Sequence, residues 1–384
     1  MKWMYKWVQS ALLGLALTAP AIAADEVAAL AQFKVIIEGL NKNSFVAFNG
    51  ATDNQALQDR IFSNRVIEAD VKQSVSRDFD STIESMFVSS FPESTREILG
   101  TVVDFELQGG EGRAVVRYEG SGYRFSYHVY ELRLDVKDRL TIVDWVDYFQ
   151  GNRFSDEAGL ALVTAMPSKP ATQSLLQGSG PDERQVFQVS ELLKAVRDKN
   201  VPRFFQIYDG LDEKMKKQPL IVRLNLQFSM QSGDRKRLAA AEQQLFEVFP
   251  GDALHALKLI EYYLPTRQYE RAIDVLVSLQ RELGVVDGAT ESLKAMAALA
   301  QGDLERAQRF AEQATEAEPA LELSWWSLLR ARTRAEDFSG ATEALSRLED
   351  DFGQQLGPET LKKDAFLRVL AEQQEYLDWR AERQ

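Results

Sequence analysis

The sequence predicts two architectures in one chain: an α+β domain, with helices on a curved antiparallel sheet, followed by an all-α solenoid of stacked helical hairpins. Three observations carry this expectation. Residues 98–149 hold segments rich in β-branched and aromatic residues, separated by glycine or charged turns. A stretch rich in Pro, Gly and Ser follows at 166–182. Beyond it, a pattern recurs in steps close to 34 residues, the signature of helical pairs that cannot bury their apolar faces alone.

The chain begins with a separate element. Lys2 and Lys6 form a short positive start, an apolar run covers about Ala11 to Leu17, and Pro20 precedes Ala21-Ile22-Ala23. This pattern predicts a cleavable secretory signal over residues 1–23. The run is too short to span a bilayer, which needs about 20 residues. The mature protein is therefore expected in the periplasm of a bacterial envelope, with secretion as second choice and no integral membrane segment. Loss of Lys2 and Lys6 would take the net charge from -13 to -15.

Residues 24–165 read as the α+β domain. Val27, Leu30, Phe33 and Ile37 recur at helical spacing, and Asn41–Asn43 ends that helix. Further helical turns are expected around Gln55–Phe62 and Ala69–Phe91. After Pro92 the period changes to that of strands: Ile98–Leu107, Arg113–Tyr118, Tyr123–Leu134 and Leu140–Phe149. Their turns are Gly109-Gly110-Glu111-Gly112, Gly120-Ser121-Gly122 and Lys137-Asp138, so the strands form an antiparallel meander. Ser155 offers an N-cap with Asp156 and Glu157 in the first turn, predicting a helix to about Ala165. Helices followed by a twisted antiparallel sheet resemble the NTF2-like cone fold over roughly 25–150, most closely in the last strand, Leu140 to Gly151. A cystatin-like sheet wrapped on one helix is the nearest alternative.

Residues 166–182 read as a linker, because Pro167, Pro170 and Gly178-Ser179-Gly180-Pro181 favour neither helix nor strand. In 183–384 the repeating positions are Val201, Arg235, Tyr269, Leu304, Phe338 and Tyr376, with steps of 34, 34, 35, 34 and 38. Three residues after each come Phe204, Leu238, Ala272, Ala307, Ala341 and Trp379. Gly233-Asp234 and Gly302-Asp303 mark interhelical turns, and Pro250 and Pro319 mark helix ends.

These residues resemble tetratricopeptide repeats over 219–353, with weaker capping pairs at about 183–217 and 358–384. The copies are degenerate: Leu226, Ile260 and Leu329 occupy a position that is usually very small, Glu291 and Lys294 replace apolar residues, and Gly284 stands for a terminal proline. The resemblance implies that the first helix of each pair lines a concave groove. Carried over by position, the groove residues are Arg223, Gln227, Glu261, Met296, Trp326, Arg330 and Arg334. Trp326, Arg330 and Arg334 lie four apart on one helical face, an aromatic beside two guanidinium groups suited to a carboxylate or acidic peptide. Pairing with Glu322, Glu336 and Asp337 is the plainer alternative for the arginines, and Trp325 is assigned to the core.

Several chemistries are disfavoured. The chain has no cysteine, which removes disulfides and thiolate metal sites, and its two histidines, His128 and His255, make no zinc or iron cluster. Residues 24–165 carry 23 acids and 14 bases, and 166–384 carry 35 and 29, so neither half has the basic footprint of a nucleic-acid binder. No phosphate loop or nucleophile elbow occurs. His128 lies among Tyr123, Phe125, Tyr127 and Tyr130, with Asp144 and Asp147 on opposite faces of the last strand. Proton transfer would need these groups in one pocket. The expected function is a non-catalytic adaptor, with no cofactor and no catalytic residue, that holds a protein or peptide partner in the groove. The alternative is an isomerase or hydrolase with its pocket in the cone.

Overall fold

The computed structural model describes residues 25–63, 65, 67, 69–89, 99–120, 124–165, 169–176 and 181–383. The expected signal segment and the turn residues Ser121 and Gly122 lie outside the described residues. The chain divides into two compact units, Met1–Pro250 and Gly251–Gln384.

The first unit starts with α1 (25–41), then α2 (Val46–Ala51), α3 (Asn54–Phe62), α4 (Ala69–Arg77) and α5 (Phe79–Ser89). A five-stranded sheet follows: β1 (Leu99–Gln108), β2 (Glu111–Gly120), β3 (Arg124–Leu134), β4 (Leu140–Asp147) and β5 (Asn152–Arg153). The strands pair in sequence order and antiparallel, as the meander expectation requires. One face packs on the helices: Ala114, Val116, Tyr118, Tyr130, Ile142 and Trp145 share a core with Phe33, Ile37, Phe48, Leu57, Ile83 and Phe87. On α1 the buried stripe includes Ala29, Phe33, Ile36, Ile37 and Leu40, whereas Val27 points to solvent. Asn41 closes α1 onto the edge strand, its amide accepting from Gly100 N at 2.6 Å and donating to Gly100 O at 3.0 Å. These bonds occupy edge groups that would otherwise be open to another strand.

Strand β4 carries a bulge. Glu131 pairs with Asp144 and Leu132 with Ile142, leaving Val143 as the extra residue. Ile142 and Trp145, three apart, would face opposite sides of a regular strand; the bulge lets both enter the core. Beyond the bulge, regular alternation puts Asp147 on the face of Trp145 and opposite His128.

The remaining helices of this unit are α6 (Phe154–Ala165), α7 (Lys169–Ser174), α8 (Glu183–Arg197), α9 (Val201–Asp209), α10 (Glu213–Lys216), α11 (Pro219–Ser232) and α12 (Arg235–Val248). Two expectations are corrected here. Part of the supposed linker is helical, because Pro170 falls at the second position of α7, where a missing N–H costs nothing. Ala171 shares a core with Val163 of α6 and with Val189, Leu192, Phe204 and Leu224, so packing continues from α6 to α11. Ser155 is no N-cap either: α6 starts at Phe154, and the Ser155 hydroxyl donates to Asp144 Oδ2 at 2.7 Å.

The second unit is helical: a 3-10 turn at Ala253–His255, α13 (Ala256–Tyr263), α14 (Tyr269–Leu283), α15 (Gly288–Gln301), α16 (Leu304–Ala317), α17 (Glu322–Arg334), α18 (Phe338–Asp350), α19 (Pro358–Lys363), a 3-10 turn at Leu370–Glu372, and α20 (Gln374–Ala381). The repeating positions now acquire a physical meaning. Val201, Arg235, Tyr269, Leu304 and Phe338 are the first residues of α9, α12, α14, α16 and α18. Each preceding polar residue sits at the N-cap, and Asn200, Asp234, Asp303 and Asp337 accept backbone N–H bonds with their side chains. Gly302 adopts φ +90 as the C-cap of α15, a left-handed conformation that favours glycine. Ala272, Ala307 and Ala341 are fully buried where helices meet. The sixth copy departs: Tyr376 lies within α20 instead of starting it.

Candidate functional site

Within the sheet, β2, β3 and β4 bring together Tyr118, His128, Tyr130 and Asp147. The two phenols share a hydrogen bond of 2.6 Å, Tyr130 Oη lies 3.3 Å from His128 Nδ1, and His128 Nε2 lies 3.4 Å from Asp147 Oδ2. Phe87 meets the imidazole edge-on at 5.5 Å between ring centres. Asp147 is held below the usual carboxylate range: burial acts to raise it, but the facing His128 and N–H donors from Gln150 and Phe149 outweigh that. Burial pushes the Tyr118 and Tyr130 hydroxyls well up, so both stay protonated near neutrality. The His and an acid therefore do meet. Both His128 and Tyr130 are 0% exposed, and Phe33, Phe48, Phe87 and Trp145 fill the surrounding space. The arrangement can share a proton internally; among the described residues His128 and Tyr130 are closed from solvent, and the Asp147 side chain is 7% exposed.

Asp144 turns the other way. It accepts from Ser155 and lies 3.3 Å from Arg60 and 3.5 Å from Arg153, and Glu131 bridges the same two arginines. Burial acts to raise Glu131, but hydrogen bonds from both arginines outweigh it and hold the carboxyl below its ordinary range. This network ties α3 to β3, β4 and the β5 turn.

The groove positions separate into two groups. Gln227, Glu261 and Arg334 are exposed, and Met296 is half-buried on α15. The others face their own chain. Arg223 donates to Asn152 Oδ1, with Gly151 O at 3.5 Å, and burial lowers its guanidinium despite Glu157 and Asp156. Trp326, expected in the groove, lies in the core, and Trp325, expected in the core, packs against its edge. Trp326 is 9% exposed in a core with Leu345, Leu356, Leu361, Tyr376 and Trp379, whereas Trp325 is only partly buried beside it. The Trp326 indole donates to Glu322 Oε1 at 2.8 Å, and Arg330 pairs with Asp364 at 2.9 Å. Adjacent tryptophans differ by about 100° around a helix, and the C-terminal segment selects the second. The face proposed for an acidic peptide is thus occupied by residues 356–379.

A second feature escaped the repeat pattern. Tyr208, Glu213, Lys216, Lys217, Asn225, Arg237 and Gln244, with Ala240, Glu247 and Val248, line a cleft of about 270 Å³ between α9, α10, α11 and α12. Gln244 Oε1 accepts from Tyr208 Oη at 2.9 Å and from Asn225 at 2.8 Å, while its amide donates to Lys216 O at 2.9 Å. The available signal was local charge: residues 203–237 carry eight Arg and Lys against four Asp and Glu, in a chain of net -13.

Among the described residues, no group of three or more His, Cys, Asp or Glu is placed to hold a metal ion, and no helix is long and apolar enough to cross a membrane. No protein-family model matches the chain, and no curated protein is similar enough to count as a relative.

Proposed function

We propose that this chain is an exported, non-catalytic adaptor whose helical pairs, similar to tetratricopeptide repeats, present a surface to a partner protein or peptide, beside an NTF2-like sheet domain. The carrying observation is the coincidence of the 34-residue register with second-helix starts at Arg235, Tyr269, Leu304 and Phe338. Repeats of this kind act mainly through surfaces that stay open. Gln227 in the first unit, and Glu261 and Arg334 in the second, are exposed, and Met296 is half-buried, while Arg223, Trp326 and Arg330 leave the binding set. The enzymatic alternative rests on the His128–Asp147 contact. It is disfavoured because a general acid or base must reach a substrate proton, whereas His128 is fully buried against Phe87 and Tyr118 and the Asp147 side chain is only 7% exposed.

The test is co-purification of tagged full chain from the envelope fraction, comparing wild type with Glu261→Arg and Met296→Asp. Loss of one defined partner from these variants, with unchanged circular dichroism, supports the adaptor. Retention of the same partner at wild-type yield in both rejects this surface.

A further inference from the structure

We propose that the cleft between α9 and α12 is a docking point for a carboxylate of an acidic partner segment, either a Glu or Asp side chain or a free C-terminus. The inference rests on the adaptor reading and moves its acidic recognition away from Trp326 and Arg330, whose face is occupied.

Charge is the first argument. The lining brings Lys216, Lys217 and Arg237 to one opening, against Glu213 and Glu247. Lys217 is exposed and has no carboxylate partner among the described residues. Lys216 pairs with Glu213 at 3.0 Å and Arg237 with Asp209 at 2.9 Å, but those carboxylate side chains are 81% and 54% exposed. The single Lys216–Glu213 contact is of the exposed kind that contributes little; Asp209 holds Arg237 through two bonds, at 3.1 and 2.9 Å, so an incoming carboxylate meets the lysines first.

Shape and order supply the second argument. The Tyr208–Gln244–Asn225 bonds fix the cleft floor, so the cations surround a preset cavity. Tyr208 stacks on Phe204, which stacks on Phe228 at 4.2 Å between ring centres, anchoring the wall to the core. Ala240 and Val248 offer apolar surface for the methylenes of an acidic side chain. At about 270 Å³ the cleft lies just below the range of clefts for drug-sized ligands, which suits one side chain or chain end better than a cofactor. Arginine and lysine together give a carboxylate both directional and point-charge contacts.

The test uses the full chain and a short fluorescein-labelled peptide of alternating Glu and Ser, in free-acid and C-amidated forms, followed by fluorescence anisotropy in low-salt buffer. Saturable binding is expected, weakened about tenfold or more by Lys216→Glu/Lys217→Glu and less by Lys217→Gln. The pair Lys362→Glu/Lys363→Glu on α19 should leave it unchanged. Equal binding of both peptide forms assigns the site to side chains; preference for the free acid assigns it to a C-terminus. Either supports the proposal. Absent binding, equal loss in the α19 variant, or a peptide displaced from the same lysines by lower concentrations of inorganic phosphate or anionic vesicles would overturn it. A chain that ignores the peptide yet keeps a partner sensitive to Glu261→Arg and Met296→Asp loses the cleft assignment alone.

Discussion

Lys294→Met should destabilise the second unit more than any surface change there, because it strands a buried carboxylate. Lys294 Nζ lies 2.5 Å from Glu291 Oε1, with the side chains 7% and 3% exposed. Gln280 joins them, donating to Glu291 at 2.8 Å and accepting from Lys294 at 3.0 Å. The Lys294 ammonium also sits 4.8 Å from the centre of the Phe310 ring. At an effective dielectric of about 20, the Lys294 and Glu291 charges, 2.5 Å apart, attract by about 7 kcal/mol. Desolvation offsets much of this, at several kcal/mol per ion. The net worth of the pair is therefore small, yet removing one partner should cost about 3–5 kcal/mol. Replacing the whole group, as Gln280→Met/Glu291→Met/Lys294→Met, should lie within about 1 kcal/mol of wild type or be more stable, since no charge or amide is stranded. Hydrogen exchange followed by mass spectrometry on α14–α16 peptides reads this within the full chain, where a single global transition is not assured. A loss under about 1 kcal/mol in the single variant, typical of exposed pairs, would refute the reasoning. So would a triple variant less stable than the single.

Other outcomes follow from particular contacts. Asp147 is depressed in the fold, so its contribution is present above the unfolded value near ~3.9 and is lost as pH falls through the lower folded value; Asp147→Asn should flatten the acid limb of a stability–pH profile followed by Trp145 fluorescence. Trp326→Ala should cost about 3–5 kcal/mol in protection of α18 and α20, whereas Trp325→Ala, losing a half-buried ring and the indole bond to Pro319 O, should cost about 1–2 kcal/mol by the same hydrogen-exchange measurement. Gly302→Ala meets no atom within 4 Å but must hold φ +90, so it should cost about 1–2 kcal/mol at the α15–α16 turn.

The helix starts, turn glycines and strand order were legible because they depend on local chemistry. Asp234, Asp303 and Asp337 cap the helices that follow them, and Gly233 and Gly302 close the helices that precede them. Side-chain destinations were less legible, since they depend on distant packing. Trp325 and Trp326 have the same local sequence context, and the segment around Leu356–Trp379 decides which is buried. His128 and Asp147 come into contact through strand register, with a bulge at Val143 that alternation alone does not place. Glu291 and Lys294 broke the apolar pattern visibly, but their mutual pairing through Gln280 required the fold. The prolines around 166–182 suggested a linker; Pro170 instead fits the first turn of α7, and Ala171 finds a core.

The adaptor reading is tested most directly by photo-crosslinking in intact cells, with a reactive side chain placed singly at Glu261, Met296, Lys217 or Trp326. The account predicts that the open positions yield adducts to one and the same partner protein, and that the Trp326 position yields none. Adducts from Trp326 with none from Glu261, Met296 or Lys217 would contradict it.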